Sequence, residues 1–392
     1  MHGKDNGDGE EAQAATRNLI AFACFGLLNN VVFAVSNASA GSVMPDAVAL
    51  VYIVNTAPGF VIKLFAPLWI ARGTYTAKFL IVFLSLAVNL FVLVLPGVPT
   101  SLKLLGIALG DMGSSAGEAT CMGLTQFYAQ PRRHISAFAA GTGGAGVCGW
   151  GLRIFVLQDS SLNEVIGSDA ELNRASHVLR GRVAVNTDPH DGAGVCARMG
   201  LLGELSTYMV PLFLVFWAEY ACQSGAWTAF ALPEPQRIDD AGSRLNAYHT
   251  FNLLYQCGVL VSRASGMLFT LPRPVLHALV MLQVALLVGF VGDAATQTIT
   301  GWPLHAGALA VGLIGGTLYV QMFLLVDREV PPAKREAALA TCTCADTAGV
   351  LVGEFTGLLA QLCLFDHLNL PARGHCPWPM SSGASGAFRR SI

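Results

Sequence analysis

Several ionisable side chains stand deep inside long apolar runs, and their types and spacing define what chemistry this chain can do. Asp111, Glu118, Glu219, Arg263 and Asp346 are such residues, with Lys63, Arg153 and Glu354 as further cases. An ionised group at the centre of a bilayer costs about 3 kcal/mol by insertion scales, so charges retained there should face a cavity or a partner. Asp111, Ser115, Glu118, Met122 and Thr125 repeat at helical spacing and form a mostly polar stripe on an otherwise apolar helix. In that stripe Glu118 can accept a proton or bind a cationic group; an internal salt bridge is the equally weighted alternative. Arg263, Gln256 and Asn252 share one helix face. Three donors aligned in this way suit a phosphate or carboxylate, because the guanidinium fork matches such anions. Tyr255 adds a hydroxyl. The competing reading pairs Arg263 with Glu219 or Asp346, which would fix helix packing instead. Glu219, between Trp217 and Tyr220, is either a proton-coupling carboxyl or an ion-paired anchor. Asn29 and Asn30 are polar at depth and are expected to face the cavity. Lys63 follows Pro58 and Gly59, residues that loosen a helix and free its carbonyls; snorkelling to the interface is the alternative.

Other chemistries find no support. The sequence has no CxxC pair and no HExxH motif, and its nine histidines are scattered, so no metal is expected. No serine, aspartyl or metal constellation of a membrane-embedded enzyme is present, so catalytic residues, cofactors and enzymatic activity are not expected. The glycine-rich stretch Gly141 to Gly151 lacks the Gly-Lys-Ser/Thr ending of a phosphate loop and reads as close helix packing, as do Gly312 and Gly316. Cys24, Cys121, Cys148, Cys222, Cys257, Cys342, Cys344 and Cys363 fall in apolar stretches and read as small buried residues. A net charge of −2 gives no basic stripe for nucleic acid. Asn37-Ala-Ser39 is a weak glycosylation acceptor, and neither terminus shows a lipidation motif.

The elements that must position these residues are membrane helices. The 392 residues are 53% apolar and 12% charged, with a mean hydropathy of +0.54, whereas soluble domains carry about 25% charged residues. Runs of roughly 20 apolar residues mark ten candidate spans. The first five are Asn18–Ala38, Ala47–Ala71, Ala77–Leu95, Leu102–Phe127 and Ile135–Val156. The second five are Glu204–Ala226, Tyr248–Phe269, Val275–Asp293, Leu304–Val326 and Ala337–Phe365. The expected organisation is a disordered cytoplasmic tail over 1–17, an N-terminal bundle over 18–156, a polar connector over 157–203, a C-terminal bundle over 204–366 and a disordered tail over 367–392. Residues 1–17 are too acidic for a cleaved signal peptide, so the first span is expected to be retained.

Basic residues accumulate in cytoplasmic loops, and Arg72, Lys78, Arg132 and Arg133 then place the N-terminus in the cytoplasm. Arg328, Lys334 and Arg335 mark another cytoplasmic loop. The two assignments disagree in parity if five spans precede the connector. One span is missing from the count: either a degenerate crossing lies between Leu157 and Gly200 or a helix is absent there, and the second reading is adopted because nothing in that interval is apolar enough to insert.

Several stretches resemble signatures of the battenin family: Leu27-Leu-Asn-Asn30, Val61-Ile-Lys-Leu-Phe-Ala-Pro-Leu68, Ser115-Ala-Gly-Glu118 and Ala140-Gly-Thr-Gly-Gly-Ala-Gly146. Ala218-Glu-Tyr220, Leu254-Tyr-Gln256, Val261-Ser-Arg263 and Ala345-Asp346 follow in the family's order. The resemblance covers about Phe22 to Leu364 and departs at 157–200, where battenins carry a sixth apolar helix. It implies an all-α membrane protein related to the major facilitator superfamily, with two helical bundles around a central cavity. It also implies residence in the lysosomal or vacuolar membrane. The roles implied are clearance of glycerophosphodiesters, basic amino-acid transport and control of organelle pH. The expected partners are the bilayer, a small polar substrate and a proton; a non-transporting membrane scaffold is the alternative.

Overall fold

In the computed structural model, residues 4–43, 48–70, 72–156, 203–231, 240–371 and 374–378 are described. They form helices and short connections, with no strand among the described residues. The N-terminal bundle contains α1 (Lys4–Val43), α2 (Val48–Val54), α3 (Ala57–Leu64), α4 (Ala66–Trp69), α5 (Tyr75–Val94), α6 (Thr100–Leu124) and α7 (Pro131–Val156). The C-terminal bundle contains α8 (Ser206–Ser224), α9 (Ala241–Ala264), α10 (Arg273–Thr296), α11 (Trp302–Glu329) and α12 (Pro332–Leu368).

Five of the helices, α1, α5, α10, α11 and α12, are long and apolar enough to cross a membrane on length and composition alone. Of the others, α2, α3 and α4 are too short, and α6, α7, α8 and α9 carry much of the polar interior. α5 shows the lipid-facing pattern most plainly, with Leu80, Ile81, Phe83, Leu84 and Phe91 exposed. α6 behind it is buried along most of its second half, including Asp111, Ser114, Ser115 and Glu118. The second span is broken into α2, α3 and α4 by turns at Asn55–Thr56 and at Phe65. Pro58 and Pro67 each occupy the first turn of the helix that follows the break. A missing N–H removes no helix bond there.

Small residues set the seams. A Cβ on Gly26 would lie 2.1 Å from the Phe138 carbonyl oxygen, and one on Gly141 2.0 Å from that of Ala23. The backbones of α1 and α7 are therefore in contact, a packing that lipid-embedded helices favour. Gly312 and Gly316 do the same for α11 against α9, at 2.0 Å from the Tyr255 carbonyl oxygen and 2.1 Å from Ser262 Oγ.

Polar contacts identify the two faces of the bundle. On one, Tyr75 donates to Glu336 (2.6 Å), Gln126 to Asp327 (3.3 Å) and Lys334 to Glu204 (2.9 Å), while Tyr208 and Arg273 converge on Glu329. This face gathers the basic loops, which the positive-inside rule expects on the cytoplasmic side. On the opposite face Tyr52 hydrogen-bonds Tyr248, and Trp150 packs on Tyr248 with centroids 5.6 Å apart. The C-terminal end of α7 therefore lies on the face opposite to the start of α8. The expected connector with its absent span lies outside the described residues.

Three readings are corrected. α1 begins at Lys4, inside the stretch read as a disordered tail, because Glu10 to Ala15 is rich in strong helix formers. Cys363 is not a lone buried thiol: it forms a disulfide with Cys376. The chain reverses at Asn369, whose φ is 55°, and Asp366 accepts from the Cys376 N–H (2.5 Å). Residues 374–378 of the supposed tail are thereby folded back onto the end of α12. Cys24 and Cys148 are exposed rather than buried.

Candidate functional site

A cavity of about 100 Å³ lies between the two bundles. From the N-terminal half it is lined by Asn30 and Asn37 of α1, Lys63 of α3, Asp111, Ser115 and Glu118 of α6, and Thr142 of α7. From the C-terminal half come Tyr220 and Gln223 of α8, Tyr255, Gln256 and Arg263 of α9, Tyr319 of α11, and Asp346 and Thr347 of α12.

Lys63 is central to this wall and 3% exposed. Its Nζ donates to Glu118 Oε2 (2.5 Å), Asp346 Oδ1 (3.2 Å) and Thr347 Oγ1 (2.7 Å). Tyr319 donates to the other Glu118 oxygen. One ammonium therefore serves two carboxylates drawn from opposite halves of the molecule. The break in the second span makes this possible, since α3 starts afresh at Ala57 and carries Lys63 in its last turn. At the start of the same helix, the Gly59 N–H donates to Asp111 Oδ2 (2.6 Å). Snorkelling of Lys63 is excluded by this burial.

Arg263 is held differently. Its guanidinium lies 4.0 Å over the Tyr319 ring and donates to Thr142 of α7. Nε is buried without a partner, and Arg263 forms no ion pair with any described residue. The two carboxylates considered as its partners are engaged elsewhere: Asp346 with Lys63, and Glu219 with the Tyr255 hydroxyl (2.9 Å). Gln256 reaches across from α9 to α7, where a Cβ on Gly146 would lie 1.9 Å from its Oε1.

Nine of the residues singled out from sequence therefore share one cavity: Asn30, Lys63, Asp111, Ser115, Glu118, Tyr255, Gln256, Arg263 and Asp346. Asn29, Asn252, Glu219 and Glu354 do not line it. Asn29 donates to the Ser114 carbonyl (2.9 Å) and joins α1 to α6. Asn252 is fully buried and donates to the carbonyl one turn back, Tyr248 (2.9 Å). Glu219 sits behind Tyr255, with its second oxygen against Gly315. The Arg153 side chain lies outside the described residues. Asn37 is buried and accepts from Asn55 (2.8 Å), so it is no accessible glycosylation acceptor.

Thr142, Tyr319 and Thr347 were missed from sequence. Thr142 is embedded in the glycine-rich stretch read as packing, and Tyr319 is an uncharged aromatic in an apolar run, so neither carried a signal. Thr347 follows Asp346 directly, and that adjacency could have found it.

Two helical bundles around a polar, charge-bearing cavity define an all-α membrane fold of the major facilitator type, and comparison with solved structures gives the same fold. The Escherichia coli fucose:proton symporter superposes with a TM-score of 0.55 at 13% identity, covering 90% of this chain and 97% of that one. A bacterial homologue of the human lysosomal transporter Spinster gives 0.53 at 13% identity, over 88% and 82%. The human organic anion transporter TETRAN gives 0.52 at 15% identity, over 90% and 97%. At such identities the likeness concerns the fold.

The family follows from sequence. The family described as CLN3 protein matches residues 20–168 and 158–367, and the chain belongs to this, the battenin, family. Protein BTN1 of Yarrowia lipolytica is 29% identical over 396 residues, covering 91% of this chain and 96% of the relative. Its counterpart in Chaetomium globosum is 27% identical over 428 residues, covering 93% and 89%. Family and fold thus resemble membrane transporters rather than enzymes.

Proposed function

We propose that this chain moves a small phosphodiester anion, of the glycerophosphodiester class, across the lysosomal or vacuolar membrane by alternating access, and thereby contributes to organelle pH homeostasis. The observation that supports this reading is Arg263. Its guanidinium faces the cavity without a carboxylate partner among the described residues, beside the hydroxyl of Thr142 and the amide of Gln256. A desolvated guanidinium fork with neighbouring neutral donors suits a phosphate oxygen pair. A basic amino acid, the other substrate considered, would draw on the cavity carboxylates, of which Glu118 and Asp346 are engaged by Lys63 and Asp111 accepts from the Gly59 N–H. Catalysis has no part in this reading.

A membrane scaffold is the second reading, favoured by the Lys63 cluster, which joins the two halves as a structural ion pair would. Uptake into proteoliposomes separates the readings, with labelled glycerophosphocholine and labelled arginine compared with and without a pH gradient. The expected result is saturable phosphodiester uptake that falls at least about tenfold in Arg263→Ala, the scale of one lost charge-assisted contact. Saturable arginine uptake without phosphodiester uptake would overturn the substrate class. No uptake of either by correctly inserted protein would overturn transport.

A further inference from the structure

The end of the molecule opposite the basic loops, expected to be lumenal, holds a carboxyl that the reading above does not use. Glu354 of α12 is 1% exposed, and its Oε2 has no hydrogen-bond partner. It forms no ion pair with any described residue. Eight residues separate it from Asp346, about 12 Å along the helix toward that end.

Ser224 of α8 is its hydrogen-bonding neighbour, and Tyr52 on α2, Tyr220 on α8 and Tyr248 on α9 are near enough to feel its charge. Of the other ionisable groups on the packed elements, Glu219 of α8 engages Tyr255, Lys63 of α3 engages Glu118 and Asp346, and Arg244 of α9 lies over Phe365, three turns further along α12, while the His249 ring of α9 packs against Tyr248 and Trp150 with centroids 5.7 and 5.6 Å away.

Tyr52 and Tyr248 belong to different halves, and the hydrogen bond between their hydroxyls closes this end beside Glu354. Gln223, on the cavity wall one residue before Ser224, also has a buried Nε2 without a partner. A sealed carboxylate with no cation bears a large desolvation cost, whereas the neutral acid does not. The closed arrangement therefore suits the protonated form. Parting Tyr52 from Tyr248 would admit water, and the carboxyl could then release its proton to that water as hydronium and remain as a hydrated carboxylate.

We propose that Glu354 is a proton-binding site that governs a lumenal gate formed by Tyr52 and Tyr248, with proton binding closing the gate and proton release accompanying its opening. The use of such a gate rests on the alternating-access reading, but its existence does not depend on the substrate, and the test below contains none.

Spin labels at Leu50→Cys on α2 and Leu245→Cys on α9, both exposed positions flanking the gate, would report its width. The full chain would be held in nanodiscs, with the exposed Cys24 and Cys148 replaced by serine. Distances are measured by double electron–electron resonance at pH of about 5 and about 7.5. The short-distance population should give way to a longer one as pH rises, by up to about tenfold per pH unit, the limit for one linked proton. Glu354→Gln, which keeps the shape and neutrality of the acid, should hold the short distance at both pH values. Tyr52→Phe should widen the gate at both values and keep the pH response. A wild-type distance that ignores pH, or a Glu354→Gln variant that responds as wild type does, overturns the proposal; the first outcome needs no variant to fold. A pH-responsive gate in a chain that transports neither substrate would sustain this inference and remove the transport reading alone.

Discussion

Lys63 holds Glu118 and Asp346 at 2.5 and 3.2 Å in a setting where all three side chains are nearly dry. Removing one partner of a buried ion pair leaves an uncompensated charge and costs about 3–5 kcal/mol. Lys63→Met should therefore lower the thermal unfolding midpoint in detergent sharply, and adding Glu118→Gln and Asp346→Asn should restore part of the loss. A Lys63→Met protein as stable as wild type would show that the three do not act as one unit. Arg263 makes the complementary case. Arg263→Lys keeps the charge but loses the fork and the stacking on Tyr319, so glycerophosphocholine affinity should weaken about tenfold or more at nearly unchanged stability. Equal affinities by calorimetry would dissociate the guanidinium from the ligand. At this scale the sequence was informative about charge, because an ionised residue in an apolar run needs a partner or a cavity. It was silent about which partner. Arg263 had two candidate carboxylates, and neither took it, since the choice depends on how α3, α6 and α12 come together. Neutral contributors such as Thr142 and Tyr319 left nothing to read.

The helices meet where side chains are smallest. A Cβ on Gly315 would fall 1.2 Å from Glu219 Oε1, whereas Gly289 of α10 faces open space. Gly315→Ala should displace α11 or expel the Glu219 carboxyl, which lowers the unfolding midpoint and the yield of folded protein. Gly289→Ala should be neutral or raise the midpoint, because Ala exceeds Gly in helix propensity by about 1 kcal/mol. Equal behaviour of the two variants in thermal unfolding would contradict the packing described. The helices themselves were visible as hydropathic runs, and the broken second span was announced by Pro58. The start of α1 at Lys4 was not, because acidic, alanine-rich sequence reads equally as a solvated tail or as a helix extending beyond the membrane. The disulfide of Cys363 was hidden for a related reason: its partner lies past the turn at Asn369, in a segment with no apolar pattern.

Between the halves, contacts are arranged in three tiers. Tyr75–Glu336 and Gln126–Asp327 lie on the face of the basic loops, expected to be cytoplasmic, the Lys63 cluster in the middle, and Tyr52–Tyr248 on the opposite face. Alternating access requires the outer tiers to open in turn while the cavity between them holds the substrate. The two-bundle architecture came from the battenin resemblance, since composition alone gives only a polytopic helical bundle. The structure gathers the basic loops on one face, the grouping on which the expected orientation rests. The most direct test of the account fixes the cytoplasmic tier. Tyr75→Cys and Glu336→Cys would be bridged by a short bis-methanethiosulfonate in a chain with Cys24 and Cys148 replaced by serine, and glycerophosphocholine uptake measured before bridging, after it, and after removal of the bridge by thiol. The account predicts that uptake stops when the tier is bridged and returns when it is released; uptake that continues unchanged through a bridged tier would contradict alternating access through this cavity.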